Sequence, residues 1–383
     1  MGNNIRDMLP VSKDTKVWVA MAGSFFASAF VYSFISGVGR AIQLSNYLQA
    51  GGSDAYVLVS PILVGVMKAI GFFAAASIFC KNTGGLVFHM QYVASYITFY
   101  VAENFNLLKK WQKGTKCNMA TSMFYVSAGE VINMWSALAM LAVNSVAMLV
   151  GYFLGTLLIG AAVQYPDRES YQVLAQAPGV FPGFTANNPP ATYDFSVIEN
   201  IIPRAFVVEI ICTALLGLYF TFVGLNITRR GEKGKITQEK QDSQHSKAVR
   251  GGALLVFATN VIAQNVSGSS FDLAHWVSSN FATSLLADEP LFDGGVYDNS
   301  ESYWYVYVFG NLIGWVTGSV IAYIVFGFVF KEELKAGYEP VADAGGADGG
   351  ENSNVVSEGR NRGRQTRARV NDILAGSDLF GNN

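Results

Sequence analysis

Charge is what this chain has least of. Only 14% of its 383 residues are Asp, Glu, Lys or Arg, against roughly 25% in soluble globular proteins, which argues against a water-soluble globule. The 26 basic and 28 acidic residues nearly cancel to a formal net charge of −2, so a nucleic-acid binder built on overall positive charge is excluded. Cysteine is also scarce: Cys80, Cys117 and Cys212 lack metal-ligand spacing, leaving neither a disulfide framework nor a zinc site. No nucleophile constellation, phosphate loop or metal cluster occurs, so no enzymatic activity, cofactor or metal is expected. What is abundant is apolar: 51% hydrophobic residues, 13% aromatics and 39 glycines, the composition of a polytopic membrane protein in which glycine lets helices approach closely.

A hydrocarbon core about 30 Å thick requires about 20 apolar residues of helix. Six stretches meet or approach this: Val17 to Gly39, Tyr56 to Cys80, Trp135 to Val163, Pro203 to Ile227, the shorter Gly252 to Ala263, and Trp304 to Phe330. The first is too long for a secretory signal and lacks its cleavage site. Two further apolar stretches, starting near Phe88 and Asp272, follow glycine-rich turns and are interrupted by polar residues, as half-helices buried in protein would be. Seven Lys or Arg against three acids between Arg229 and Arg250, and the cluster Lys109, Lys110, Lys113 and Lys116, mark cytoplasmic connections. Five acids and no Lys or Arg between Asn280 and Tyr303, and four acids opposed only by Arg168 between Gln164 and Ile202, mark outer loops. Six spans then place both termini in the cytoplasm. The expected organisation is an N-terminus over 1–16, a membrane domain over 17–330 with halves 17–163 and 203–330 around an outer loop 164–202, and a tail over 331–383.

The halves share an element. Thr83-Gly-Gly-Leu-Val-Phe-His-Met-Gln-Tyr-Val-Ala-Ser95 aligns with Ser267-Gly-Ser-Ser-Phe-Asp-Leu-Ala-His-Trp-Val-Ser-Ser279, with glycine, valine and serine coinciding. Each copy follows one span and precedes another. Three spans per half reverse the orientation of the second, giving an inverted repeat whose broken helices meet near the bilayer midplane.

Ser267-Gly-Ser-Ser-Phe-Asp-Leu-Ala-His-Trp resembles the second pore loop of aquaporins and aquaglyceroporins, Ser-Gly-x-x-x-Asn-Pro-Ala-Arg, and Thr83-Gly84-Gly85 resembles the start of the first. Phe206-Val-Val-Glu209-Ile-Ile-Cys-Thr213 is similar to that family's fourth helix, and Tyr307-Val-Phe-Gly-Asn-Leu-Ile-Gly314 to the start of its sixth. The resemblance implies an all-α transmembrane, aquaporin-like bundle of six spanning helices plus two re-entrant half-helices. It also implies a multi-pass channel for water or a small uncharged solute, and a homotetramer. The departures are large. Phe88, His89 and Met90 replace the first Asn-Pro-Ala, and Asp272, Leu273 and Ala274 replace the second. His275 stands where the family has arginine, and the first helix lacks the family's glutamate, leaving Glu209 without its counterpart. About 35 extra residues after Met90 include Met119 to Asn133, an expected additional helix.

The resemblance maps the outer selectivity filter to Lys68, Asn260, Ser269 and His275. Lys68 lies in an apolar span, where an ionisable group is costly and by default a functional candidate, although it could instead snorkel toward headgroups. Phe88 cannot cap or donate, and its ring could plug the centre. Asp272 is a good N-cap; its charge would offset the positive half-helix end and favour a cation or proton, unless it only caps. Arg360, Arg362, Arg364, Arg367 and Arg369 in the tail suit anionic lipid or a docking partner. Two functions stand: a passive channel with an altered pore, or a non-conducting protein of the same fold with a structural or assembly role.

Overall fold

The computed structural model describes residues 15–49, 54–83, 88, 90, 93–94, 97–98, 134–163, 195–232, 238–287 and 304–329. Among them the chain is all-helical: α1 (Thr15–Gln49), α2 (Asp54–Thr83), α3 (Met134–Val163), α4 (Phe195–Glu232), α5 (Gln238–Ser267), the short α6 (Leu273–Ala287) and α7 (Asn311–Val329), entered through a π turn at Val306–Gly310. Between α2 and α3, Met90, Val93, Ala94, Ile97 and Thr98 are helical as well. Their spacing buries Met90, Ala94 and Thr98 along one side, as expected of the first half-helix.

Among the described residues, five stretches of helix are apolar and long enough to cross a membrane: Phe25–Gln43, Pro61–Ile78, Ala142–Gly160, Ile202–Gly224 and Val306–Val329. α5 does not meet that measure, although its 30 residues extend about 45 Å; its first half, Gln238 to Arg250, is polar. Outward faces are apolar. Ile62, Val66, Ile70 and Phe73 on α2, and Val207, Ile211 and Leu215 on α4, form exposed stripes at helical spacing. Such stripes would be a liability in water and are the natural surface toward lipid. The described residues form an all-α bundle with apolar helices long enough to cross a membrane.

Packing repeats between the halves. α1 packs on α2 and α3, α4 packs on α5 and α7, and α2 meets α5 across the centre. Small residues permit both close crossings: a side chain at Gly151 or Gly155 would strike the α1 backbone at Phe30 and Phe34, and one at Gly318 would strike α4 at Ala214. The expected outer loop up to residue 194, the segment 119–133, the basic cluster at Lys109–Lys116 and the tail from residue 331 lie outside the described residues.

Candidate functional site: the meeting point of two half-helices

The loop joining α5 to α6 runs Ser267-Gly-Ser-Ser-Phe-Asp272. Ser269 and Phe271 adopt positive φ, 52° and 56°, alongside Gly268 at 76°. Left-handed backbone at a serine and a phenylalanine is strained, and surrounding helices hold it in place. Glu209 of α4 accepts from Ser267 Oγ at 2.6 Å and from the backbone N–H groups of Ser270 and Phe271 at 3.1 Å each. Tyr307 Oη donates to Ser267 O at 2.6 Å, and Trp315 Nε1 to Phe271 O at 2.8 Å. Lys68 of α2, 1% exposed, donates from Nζ to Ser269 O at 2.5 Å and to Ser269 Oγ at 3.2 Å. Phe271 lies beneath that ammonium, its ring centroid 5.9 Å from Nζ.

Asp272 joins the halves. Its Oδ1 accepts from Ala274 N at 2.8 Å, the N-cap bond of α6, and its Oδ2 accepts from Met90 N at 2.9 Å, in the first half-helix. Met90 and Ala274 are equivalent positions of the internal repeat, so one carboxylate caps the same position twice. Two helix N-termini, each carrying partial positive charge, converge on this one negative group. Both oxygens bind backbone donors, which is the capping role, one of the two expected of Asp272.

Phe88 is fully buried. Its ring meets Tyr32 of α1 at a centroid distance of 5.2 Å, Phe72 of α2 at 5.8 Å, Phe220 of α4 at 5.9 Å and Trp315 of α7 at 5.5 Å. Aromatic rings at such separations are in contact.

Of the four filter candidates, the structure joins Lys68 directly to Ser269. His275, fully buried in the first turn of α6, is flanked by the rings of Tyr32 at 5.9 Å and Tyr152 at 5.1 Å, within electrostatic reach of Lys68 and Arg40. Neither imidazole nitrogen has a hydrogen-bond partner among the described residues. Asn260 is buried on α5 and donates to Val256 O at 2.6 Å; no bond joins it to the other three among the described residues. Leu273 is half-buried and Ala274 buried, while His89 lies outside the described residues.

Sequence reasoning missed Arg40, Gln43 and Gln264, all buried, as well as the four rings around Phe88. Arg40 falls one residue beyond the boundary drawn at Gly39. A cation directly abutting an apolar run is a usable signal when the helix continues past the bilayer core.

No protein-family description and no curated protein matches the chain. Among solved structures it is similar to the aquaglyceroporin from Plasmodium falciparum, at 15% sequence identity, with 83% of this chain and 99% of that one covered and a TM-score of 0.47.

Proposed function

We propose that this chain is a multi-pass channel-type membrane protein, a passive pathway for water or a small uncharged solute closed at the midplane by Phe88. The supporting observation is the ring itself, which fills the centre between four rings from four helices, two residues before the N–H that Asp272 accepts. Ring-to-ring packing on four sides supports a closed centre. His275, buried with neither nitrogen partnered among the described residues, supports a polar route on the far side of that closure, because buried polar groups ordinarily have partners. The filter set is then Lys68, Ser269 and His275 with Asn260 nearby. The channel body spans 17–330, both termini lie in the cytoplasm, and the arginines of the tail face anionic lipid. The homotetramer rests on the resemblance alone.

A second reading is that the fold is kept and conduction is lost, the protein serving a structural role. The double cap at Asp272 favours it, since a carboxylate bound to both half-helices acts as a tie. Solute flux into proteoliposomes decides between them. In Phe88→Asn, a polar side chain in place of the ring should admit water and raise flux; flux that stays at the lipid background would leave the structural reading.

A further inference from the structure

α4 and α7 lie side by side and run in the same direction. Gly314 lies against Ile210 and Gly318 against Ala214, and the ring of Phe326 meets that of Phe222 at a centroid distance of 5.8 Å. Three residues after Phe326, α7 ends at Val329, whereas α4 continues past Phe222 as far as Glu232. The last turns of α4 therefore stand beyond the end of α7. The start of α5 lies at the same end of the bundle, since Tyr219 Oη of α4 donates to Ala248 O at 2.9 Å.

This protruding end is basic. From Arg229 to Arg250 the chain carries seven Lys or Arg against three acids. Arg229, seven residues and so about two turns after Phe222, falls on the face of α4 that looks toward α7. On α5, Ser243, Lys247 and Arg250 form an exposed row at helical spacing, while Ala248 and Val249 are buried.

The chain that leaves α7 has the opposite charge. Residues 332–358 contain seven acids, beginning with Glu332, Glu333, Glu339 and Asp343, and Lys335 is their one basic residue. Reach is sufficient: Val329 lies about 4.5 Å beyond Phe326 along α7, and three more residues add at most about 10 Å. Glu332 can thus come level with Arg229, about 10 Å beyond Phe222.

We propose that residues 332–358 dock on the basic end of α4 and α5, with Glu332 and Glu333 against Arg229 and Arg230. Single exposed ion pairs are weak. Here several act together, and a tether this short holds the segment at an effective concentration of about millimolar. Anionic headgroups compete for the same cations, but the exit of α7 beside the face that carries Arg229 favours the chain's own acids.

The test is zero-length carbodiimide coupling of the full chain in detergent, followed by peptide mapping. A linkage from Glu339 or Asp343 to Lys233, Lys235 or Lys240 is expected at low salt. It should fall about tenfold at about 1 M salt, where the screening length is about 3 Å. Arg229→Glu with Arg230→Glu should lower it about fivefold, as two exposed pairs are lost. Adding Glu332→Arg with Glu333→Arg should restore it, which a misfolded variant would not do; none of the linked residues is changed. The linkage should also persist in vesicles containing phosphatidylserine. No linkage at low salt, or a linkage indifferent to salt and to the charge swap, would overturn the proposal. Loss of the linkage in phosphatidylserine vesicles would overturn it as well and assign the cations to lipid.

Discussion

Removing one oxygen of Asp272 should uncouple the two halves of the molecule. In the native protein Oδ1 holds Ala274 N at 2.8 Å and Oδ2 holds Met90 N at 2.9 Å, with the side chain fully buried. Hydrogen bonds to a charged acceptor contribute about 1.5–3 kcal/mol each. Asp272→Asn can keep one of them, but its NH2 then faces the other N–H, so a loss of about 2–3 kcal/mol is expected from one missing bond and one buried unsatisfied donor. Asp272→Ala forfeits both, about 3–5 kcal/mol, within the range for breaking buried charged networks. The coupling can be isolated with Met90→Pro. Proline has no N–H to donate and is tolerated in the first turn of a helix, so it deletes the long-range bond while leaving the N-cap of α6. Denaturant unfolding of purified protein in detergent, followed by tryptophan fluorescence, supplies the double-mutant cycle. The expected interaction energy between Asp272→Asn and Met90→Pro is about 1.5–3 kcal/mol, of the size seen for residues that bond directly. Effects that simply add, to within about 0.5 kcal/mol, would show that the carboxylate does not bridge the half-helices and would refute the argument.

Three further outcomes follow from other contacts. Glu209→Gln leaves one carbonyl oxygen where two oxygens accept from Ser267, Ser270 and Phe271; a fall in stability of about 2–4 kcal/mol is expected for the orphaned buried donors, measured by thermal unfolding, and full stability would dismiss the brace. Gly318→Ala drives a methyl against the Ala214 carbonyl, so α4 and α7 must separate at a cost of about 1–3 kcal/mol, whereas Gly23→Ala, with open space around it, should be neutral. For orientation, a membrane-impermeant thiol reagent applied from outside should label Asp293→Cys and miss Lys235→Cys, as the charge asymmetry requires; the reverse would invert the topology.

The spans were legible because lipid imposes a length and a composition that few other environments demand. Their ends were not. Hydropathy stops at Gly39, but α1 continues to Gln49, carrying Arg40 and Gln43 into the protein interior, where polar side chains bond each other rather than water. α5 was read as twelve residues, Gly252 to Ala263, because its helical start from Gln238 to Arg250 is too polar for an apolar scan. The N-cap at Asp272 was visible from its own position. Its second partner was not, since Met90 lies 182 residues away and only the folded repeat brings them together. Likewise, nothing local distinguishes Tyr32, Phe72, Phe220 and Trp315 from aromatics such as Phe26 and Phe73, which are exposed toward lipid. In spans apolar on every side, the face that turns inward is decided by packing.

The central claim is that Phe88 closes a pathway that the rest of the fold still provides. Stopped-flow measurement of water and glycerol flux in proteoliposomes, with the wild type and Phe88→Asn reconstituted at equal density, tests it most directly. Asparagine is the informative replacement, because a void lined only by rings would stay dry. The account predicts wild-type flux near the lipid background and at least about a tenfold rise in Phe88→Asn, corresponding to a barrier lowered by about 1.4 kcal/mol. Rapid wild-type conduction that Phe88→Asn leaves unchanged or reduces would contradict it.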